Sequence, residues 1–144
     1  MAFRWQVRVY YEDTDTAGIV YYANYLKYFE RARTEWLRAA GINQRELSEA
    51  TQRAFVVTRS AVDYHAPARL DDQLDITVAI EKLGRASVSF RQEAWLRETN
   101  ESPRLICSGH IRVGCVDTAT LRPAALPEAV GVRIRNSIKQ GSST

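Results

Sequence analysis

The chain has 144 residues, of which 45% are hydrophobic and 26% charged, and its formal net charge is +3. This length and composition are typical of one globular domain with a single buried core. The mild basic excess suits an anionic ligand, but the dense basic runs of nucleic-acid-binding proteins are missing, so we expect no nucleic-acid partner. No apolar stretch has the length of a membrane span and the first residues lack the apolar core of a signal peptide. We therefore expect a cytoplasmic protein without a transmembrane segment.

The two cysteines, Cys107 and Cys115, fall in one predicted strand. At about 3.3 Å per residue their spacing corresponds to roughly 26 Å, which is beyond the reach of a disulfide bond. We expect both thiols to be reduced and structural. The cysteines and the two histidines lack the spacing of a metal site, so we expect neither a metal nor a bound cofactor. His65 and His110 are predicted to be hydrogen-bonded structural or solvated side chains.

A long amphipathic helix is predicted to begin at Ala23 or Asn24 and to end at Gly41. Asn24 is a good capping residue, and Gly41 can adopt the left-handed conformation that ends a helix. Apolar residues recur with helical spacing at Tyr25, Phe29, Ala32, Trp36 and Ala40. The arginines of this segment are interpreted as a solvated face, namely Arg31, Arg33 and Arg38.

The rest of the chain reads mostly as strands. Alternating patterns predict strands over residues 3–11, 55–64, 74–83, 86–97 and 105–116, with Gly109 and Gly114 as bulges. Short turns between the last three strands predict an antiparallel meander. The fold class is therefore α+β, with one long helix against a strongly bent sheet of five or six antiparallel strands. We expect one domain over residues 1–132 and a polar, irregular tail over 133–144, with exposed sheet edges that favour dimerisation.

Two aspartates, Asp13 and Asp15, stand between the first strand and the long helix. This order places a carboxylate beside the free N–H groups of a helix start, which stabilise developing negative charge. A D-x-D pair alone is more often a turn former than a catalytic group. Asp13 is interpreted as a residue that shapes the loop.

The stretch YYEDTDTAGIVYYANYLKYFERARTEWL resembles the signature of hotdog-fold acyl-CoA thioesterases of the 4-hydroxybenzoyl-CoA thioesterase family. Within that family it is most similar to the short-chain subgroup associated with the Tol–Pal cell-envelope system. The resemblance covers about residues 5–117, and the later segment HAPARLDDQL agrees with it. It implies the hotdog fold, in which a curled sheet wraps a central helix, and the hydrolysis of a thioester to free acid and coenzyme A.

The resemblance also implies a site. Asp15 matches the catalytic carboxylate, which acts either as a nucleophile on the thioester carbonyl or as a general base for water. The backbone N–H of Tyr22 matches the donor that polarises the carbonyl, with help from the helix dipole. Gly18 permits a close approach to the thioester, and Asn24 matches a polar position at the helix start. Arg85 matches approximately the basic residues that contact the phosphates of coenzyme A.

One position departs from the subgroup. Many of its members carry His where this chain has Tyr22, as the hydroxybenzoyl type does. With Tyr in place of His the backbone N–H donor is kept, but a side-chain acid or base is lost. The substrate could therefore carry an aromatic or a longer acyl group. The family further implies a homodimer or homotetramer with the site between subunits. The substrate is an acyl-CoA or an acyl carrier protein thioester, and partners in the cell envelope or lipid synthesis are possible.

Two other classes of function are compatible with parts of the sequence. A non-catalytic acyl-binding, coenzyme A-binding or scaffold protein could use the same fold, although such a protein has no need of Asp15. The segment from Asp13 to Thr16 also has the D-x-D-x-T spacing of magnesium-dependent haloacid-dehalogenase-type phosphatases. The meander argues against that class because those enzymes alternate strands and helices around a parallel sheet.

Overall fold

The computed structural model describes residues 3–142, with side chains described as far as residue 138. It contains five strands and three α-helices, which in chain order are β1 (Phe3–Arg8), α1 (Asn24–Ala39), α2 (Gln44–Thr51), β2 (Arg53–Tyr64), β3 (Gln73–Leu83), β4 (Ser87–Leu96), β5 (Arg104–Asp117) and α3 (Glu128–Ser142). Among residues 3–142, no helix is long and apolar enough to span a membrane.

The five strands form one antiparallel sheet in the order β1-β3-β4-β5-β2. The consecutive strands β3, β4 and β5 are the predicted meander and lie at its centre. The first two strands of the chain lie at opposite edges. The α+β prediction is confirmed, with five strands in the described residues.

Helix α1 packs its aromatic face on the sheet. Tyr28, Phe29 and Ala32 are almost completely buried, together with most of the predicted apolar stripe. Helix and sheet approach closely at Gly109, where an added Cβ would lie 2.9 Å from the ring of Phe29. The predicted bulges at Gly109 and Gly114 are wrong, because both glycines stay in register with β2. Gly109 instead makes room for the helix.

The two ends of α1 differ from each other. At its end Gly41 has φ +84°, and the N–H of Ile42 donates to the carbonyl of Leu37 at 2.9 Å, so the predicted helix stop is confirmed. At its start Ala23 occupies the capping position without a side-chain bond. Asn24 is the first helical residue, and its side chain faces the acidic loop. Its predicted role as a cap is therefore wrong.

The end of the described chain is helical. Residues 128–142 form α3, so the expectation of an irregular segment from residue 133 is wrong as far as residue 142. Val130 and Ile134 lie one turn apart and are almost completely buried, which ties this helix to the core. Arg133 donates to the carbonyl of Ala40 at 2.6 Å and so caps the end of α1.

Two smaller predictions have clear outcomes. The first strand ends at Arg8 and not at residue 11, because the chain turns at Tyr10 to enter the acidic loop. Cys107 and Cys115 are free and buried, as predicted. Burial raises the pKa of the Cys107 thiol to about 12, so this group is neutral at physiological pH.

Candidate active site

The acidic loop, which comprises residues 9–23, is a short hairpin between β1 and α1. The N–H of Asp15 donates to the carbonyl of Ile19 at 2.9 Å, and the N–H of Gly18 donates to the carbonyl of Asp15 at 3.0 Å. Gly18 has φ +78°, a conformation that L side chains adopt only with strain. Val20 donates to the carbonyl of Ala68 at 2.9 Å, which fixes the hairpin to the segment before β3.

Asp13 holds the base of this hairpin. Its side chain is only 6% exposed. One carboxylate oxygen accepts the N–H of Tyr10 at 2.9 Å, and the other accepts the side-chain amide of Asn24 at 2.9 Å. Its carbonyl accepts the N–H of Tyr21 at 2.9 Å. Asp13 therefore shapes the loop, as predicted, by joining its two ends to the first turn of α1.

The buried side of this junction also contains two tyrosines of α1. Burial raises the pKa of Tyr25 to about 12. Burial, followed by the nearby carboxylate of Asp13, also raises the pKa of Tyr28 well above its usual range. The Tyr28 hydroxyl has no hydrogen-bond partner among residues 3–142, although the Asp13 carboxylate lies close enough to raise its pKa.

Asp15 lies on the exposed side of the hairpin. One carboxylate oxygen accepts the N–H of Ala17 at 2.8 Å, which orients the side chain in an Asx turn. The second oxygen has no hydrogen-bond partner in the described part of the chain. The carboxylate is thus positioned by one bond and keeps free lone pairs, which is what a nucleophile or a general base needs.

Tyr22 stands just before α1, with its side chain 60% exposed. Within residues 3–142 its backbone N–H has no acceptor, whereas its carbonyl accepts the hydroxyl of Tyr64 at 3.2 Å. The rings of Tyr22 and Tyr64 also meet edge to face, with centroids 6.0 Å apart. Strand β2 therefore braces the helix start, where the Tyr22 N–H donor is unused within the described residues.

The other two predicted site residues are placed differently. Asn24 is buried, and its side-chain amide donates to both the carbonyl and the carboxylate of Asp13, so it braces the loop. Arg85 is exposed in the turn between β3 and β4, at the far end of β3 from the acidic loop. Eleven strand residues separate the two ends, or roughly 36 Å. One chain alone does not bring Arg85 to Asp15.

A cavity of about 400 Å³ lies between α1 and the edge strand β2, with β4 and β5 as its floor. It begins at Leu26, one turn after Tyr22, and extends to Leu37 and Ile134. Arg33 lines this cavity and is only 8% exposed, so its interpretation as a solvated residue is wrong. The spacing of Leu26, Glu30, Arg33 and Leu37 places all four on one face of α1, and this spacing was the available signal.

The histidines are both hydrogen-bonded, as predicted. His65 Nε2 lies 2.9 Å from the hydroxyl of Ser108, and His110 pairs with Glu81. Among the residues that the structure describes, no three His, Cys, Asp or Glu side chains come close enough together to hold a metal ion.

Comparison with known proteins supplies the family. Residues 9–134 match the thioesterase-like superfamily. The acyl-CoA thioester hydrolase YbgC of Escherichia coli (strain CFT073) is 45% identical, with 89% of this chain and 92% of that protein covered. The acyl-CoA thioesterase YbgC of Haemophilus influenzae is 42% identical, with 89% and 90% covered. In fold, the chain is similar to Slr0204, a 1,4-dihydroxy-2-naphthoyl-CoA thioesterase from Synechocystis, with a TM-score of 0.83, 23% identity, and 94% and 97% covered.

The chain therefore belongs to the thioesterase-like superfamily. The predicted hotdog fold, the resemblance to a family of acyl-CoA thioesterases and the prediction of a thioester-hydrolysing enzyme are confirmed, and the similar proteins are of the YbgC type. The phosphatase alternative is wrong, because the sheet is antiparallel throughout and the matching family is a different one.

Proposed function

We propose that this chain hydrolyses acyl-CoA thioesters to a free acid and coenzyme A, with Asp15 as the catalytic carboxylate. The activity is that of the two YbgC proteins to which the chain is similar over nine-tenths of its length. The single observation that supports the role of Asp15 is its setting. An exposed carboxylate with a free oxygen lies on the loop that leads into a helix start with an unused N–H donor.

The chemistry follows from that setting. The thioester carbonyl accepts the N–H of Tyr22, and the α1 dipole stabilises the negative charge that develops on its oxygen. In one route Asp15 attacks the carbonyl carbon, coenzyme A leaves as thiolate, and water hydrolyses the resulting anhydride. In the other route Asp15 takes a proton from a water that attacks directly. Both routes end in the acid and the thiol.

The first test is free-thiol release from a panel of short aliphatic, long aliphatic and hydroxybenzoyl CoA thioesters. We expect Asp15→Asn to lower kcat by about a hundredfold or more, because the carboxylate takes part only in the chemical step. Asn keeps the acceptor oxygen for Ala17, so the unfolding temperature should not change.

The same panel is run with and without Mg²⁺, and Glu12→Gln serves as the control for an exposed carboxylate lost from the same loop. Full turnover by Asp15→Asn would contradict the proposed role. A folded wild type that binds these thioesters without cleaving them would favour the non-catalytic binding function.

The proposed assembly is a homodimer, or a homotetramer of two such dimers, paired through β2. This strand has twelve residues and lies at the sheet edge with Val56 and Val57 exposed. A long apolar edge strand is a template for pairing with a second chain. Because β2 also forms one wall of the cavity and braces Tyr22 through Tyr64, such pairing would place the site beside the interface. Arg85 would then approach coenzyme A from another copy.

Light scattering across a dilution series tests this assembly. Val56→Lys should weaken the dimer, because it places a charge on the proposed edge. Val132→Lys on α3 is the matched control, since both valines are 41% exposed. A wild type that is monomeric at assay concentrations and fully active would contradict the interface.

Three earlier expectations stay predictions. They are acyl carrier protein as an alternative carrier of the acyl group, partners in the cell envelope or in lipid synthesis, and the cytoplasmic location.

A further inference from the structure

Arg33 is a buried guanidinium that forms no salt bridge among the described residues. Its one hydrogen bond among residues 3–142 runs from Nη1 to the side-chain oxygen of Gln92 at 2.8 Å. Burial lowers its pKa, and the charge of Glu30, three residues earlier on α1, partly opposes that shift without forming a salt bridge to Arg33. Burying a charge whose hydrogen-bond partner is a neutral amide is costly, so an anion bound directly to this arginine would stabilise it further.

Gln92 fixes the position of this guanidinium. It is completely buried, and its amide nitrogen donates to the carbonyls of Phe29 and Thr77 at 3.1 and 3.4 Å. These bonds set the orientation of the amide group, so its oxygen must face Arg33. The arginine is thus held by one nitrogen from behind, while its remaining donors have no partner among the described residues. A planar guanidinium group with free N–H donors is suited to binding a carboxylate.

The cavity extends from the proposed active site at the start of α1 to the guanidinium of Arg33. Its lining is mainly apolar, from Leu26 near the helix start to Ile134 at the far end. Lys27 and Glu30 also line it with opposite charges, so Arg33 gives the cavity its positive sign. Arg33 lies eleven residues after Tyr22 along α1, a rise of roughly 16 Å, and helical side chains lean back toward the N-terminus. An extended acyl chain bound at Tyr22 therefore points toward this group.

We propose that the cavity between α1 and β2 binds an acyl chain whose far end carries a carboxylate, which pairs with Arg33. The preferred substrates are then the CoA thioesters of dicarboxylic acids of intermediate length. This inference rests on the proposed function for the position of the thioester, but the recognition of the carboxylate by Arg33 can be tested separately from hydrolysis.

The test uses thioethers of coenzyme A, which cannot be hydrolysed, and measures their binding by calorimetry. S-carboxypentyl-CoA is compared with S-hexyl-CoA, and S-carboxyheptyl-CoA with S-octyl-CoA. Wild type should bind at least one carboxylated analogue about tenfold more tightly than its alkyl counterpart, the usual gain from a charge-assisted bond. Arg33→Met should abolish or reverse this preference, and Arg33→Lys should retain part of it.

Arg38→Gln is the matched control, because it removes a positive charge from the exposed face of the same helix. Its preference should equal that of wild type. Equal binding of both partners at both lengths by wild type would overturn the inference, and so would a preference that survives in a folded Arg33→Met. If Arg33→Met does not fold, wild type and Arg33→Lys decide.

The two proposals fail in different ways. If hydrolysis is absent but the Arg33-dependent preference in binding is present, the catalytic proposal fails and the substrate class stands. If Asp15-dependent hydrolysis is present but the carboxylated and alkyl analogues bind equally, the catalytic proposal stands and the proposed substrate class fails.

Discussion

Asp13 and Asp15 lie two residues apart on one loop, in opposite environments. Asp13 is buried, and both of its carboxylate oxygens are occupied by N–H groups. Asp15 is exposed, and one bond from Ala17 leaves its second oxygen free. The buried carboxylate joins the loop to the helix, and the exposed one is available to a ligand. Hydrogen-bond saturation, more than residue type, distinguishes these two aspartates.

The largest effect on stability is expected at the buried side. Asp13→Ala removes the acceptor of the Tyr10 N–H and leaves the buried Asn24 amide with only the Asp13 carbonyl as a partner. We expect a loss of about 2–4 kcal/mol in the free energy of unfolding, measured in urea. Asp15→Ala, the matched variant, should cost less than about 0.5 kcal/mol because its site is exposed. Equal costs at the two positions would contradict the comparison.

A smaller effect is expected at the turn that holds Asp15. Gly18→Ala should cost about 1 kcal/mol, because φ +78° is strained for alanine although no atom lies within 4 Å of the new Cβ. Gly131→Ala on α3 has room for its Cβ and should instead stabilise by up to about 1 kcal/mol. Thermal unfolding measures both, and effects of the same sign would be inconsistent with the geometry.

A further effect appears only at high pH. Tyr25 and Cys107 have pKa values raised by burial to about 12, whereas the unfolded groups ionise near their ordinary values. Above about pH 9 the unfolded chain therefore loses protons that the native chain keeps. Stability should fall as pH rises toward 12, by at most about 1.4 kcal/mol per pH unit for each group. Urea midpoints at pH 8 and pH 11 measure this, and Cys107→Ala should flatten the curve. Equal wild-type midpoints would exclude the effect.

Much of the fold could be predicted from the sequence because its periodicities are long. The stripe from Tyr25 to Trp36 defines α1, and the meander strands begin and end within two residues of prediction. Helix α3 was missed because the polar end of the sequence, GSST, suggested a tail. Yet Val130, Ile134 and Ile138 have helical spacing, so packing on the core outweighed a weak local preference.

The candidate site was predictable only in part. The motif locates Asp15 and Tyr22 on the loop and helix start, but nothing local shows that Asn24 bonds to Asp13. Arg33 was misread because arginine is usually exposed, and its burial depends on Gln92, which is distant in sequence. Such contacts are set by the sheet order and not by neighbouring residues.

The sheet order also limits how the protein can be divided. Among residues 3–142, strand β1 pairs only with β3, and β2 pairs only with β5. Residues 1–72 hold the acidic loop and the long helix, but their two strands have no partner in that half. A fragment ending at residue 72 should therefore not form a sheet or hold Asp15 in place, whereas residues 73–117 carry a meander that pairs through short turns. The site can therefore form only after the second half of the chain is present. We expect the domain to be a poor candidate for splitting into complementing fragments at residue 72.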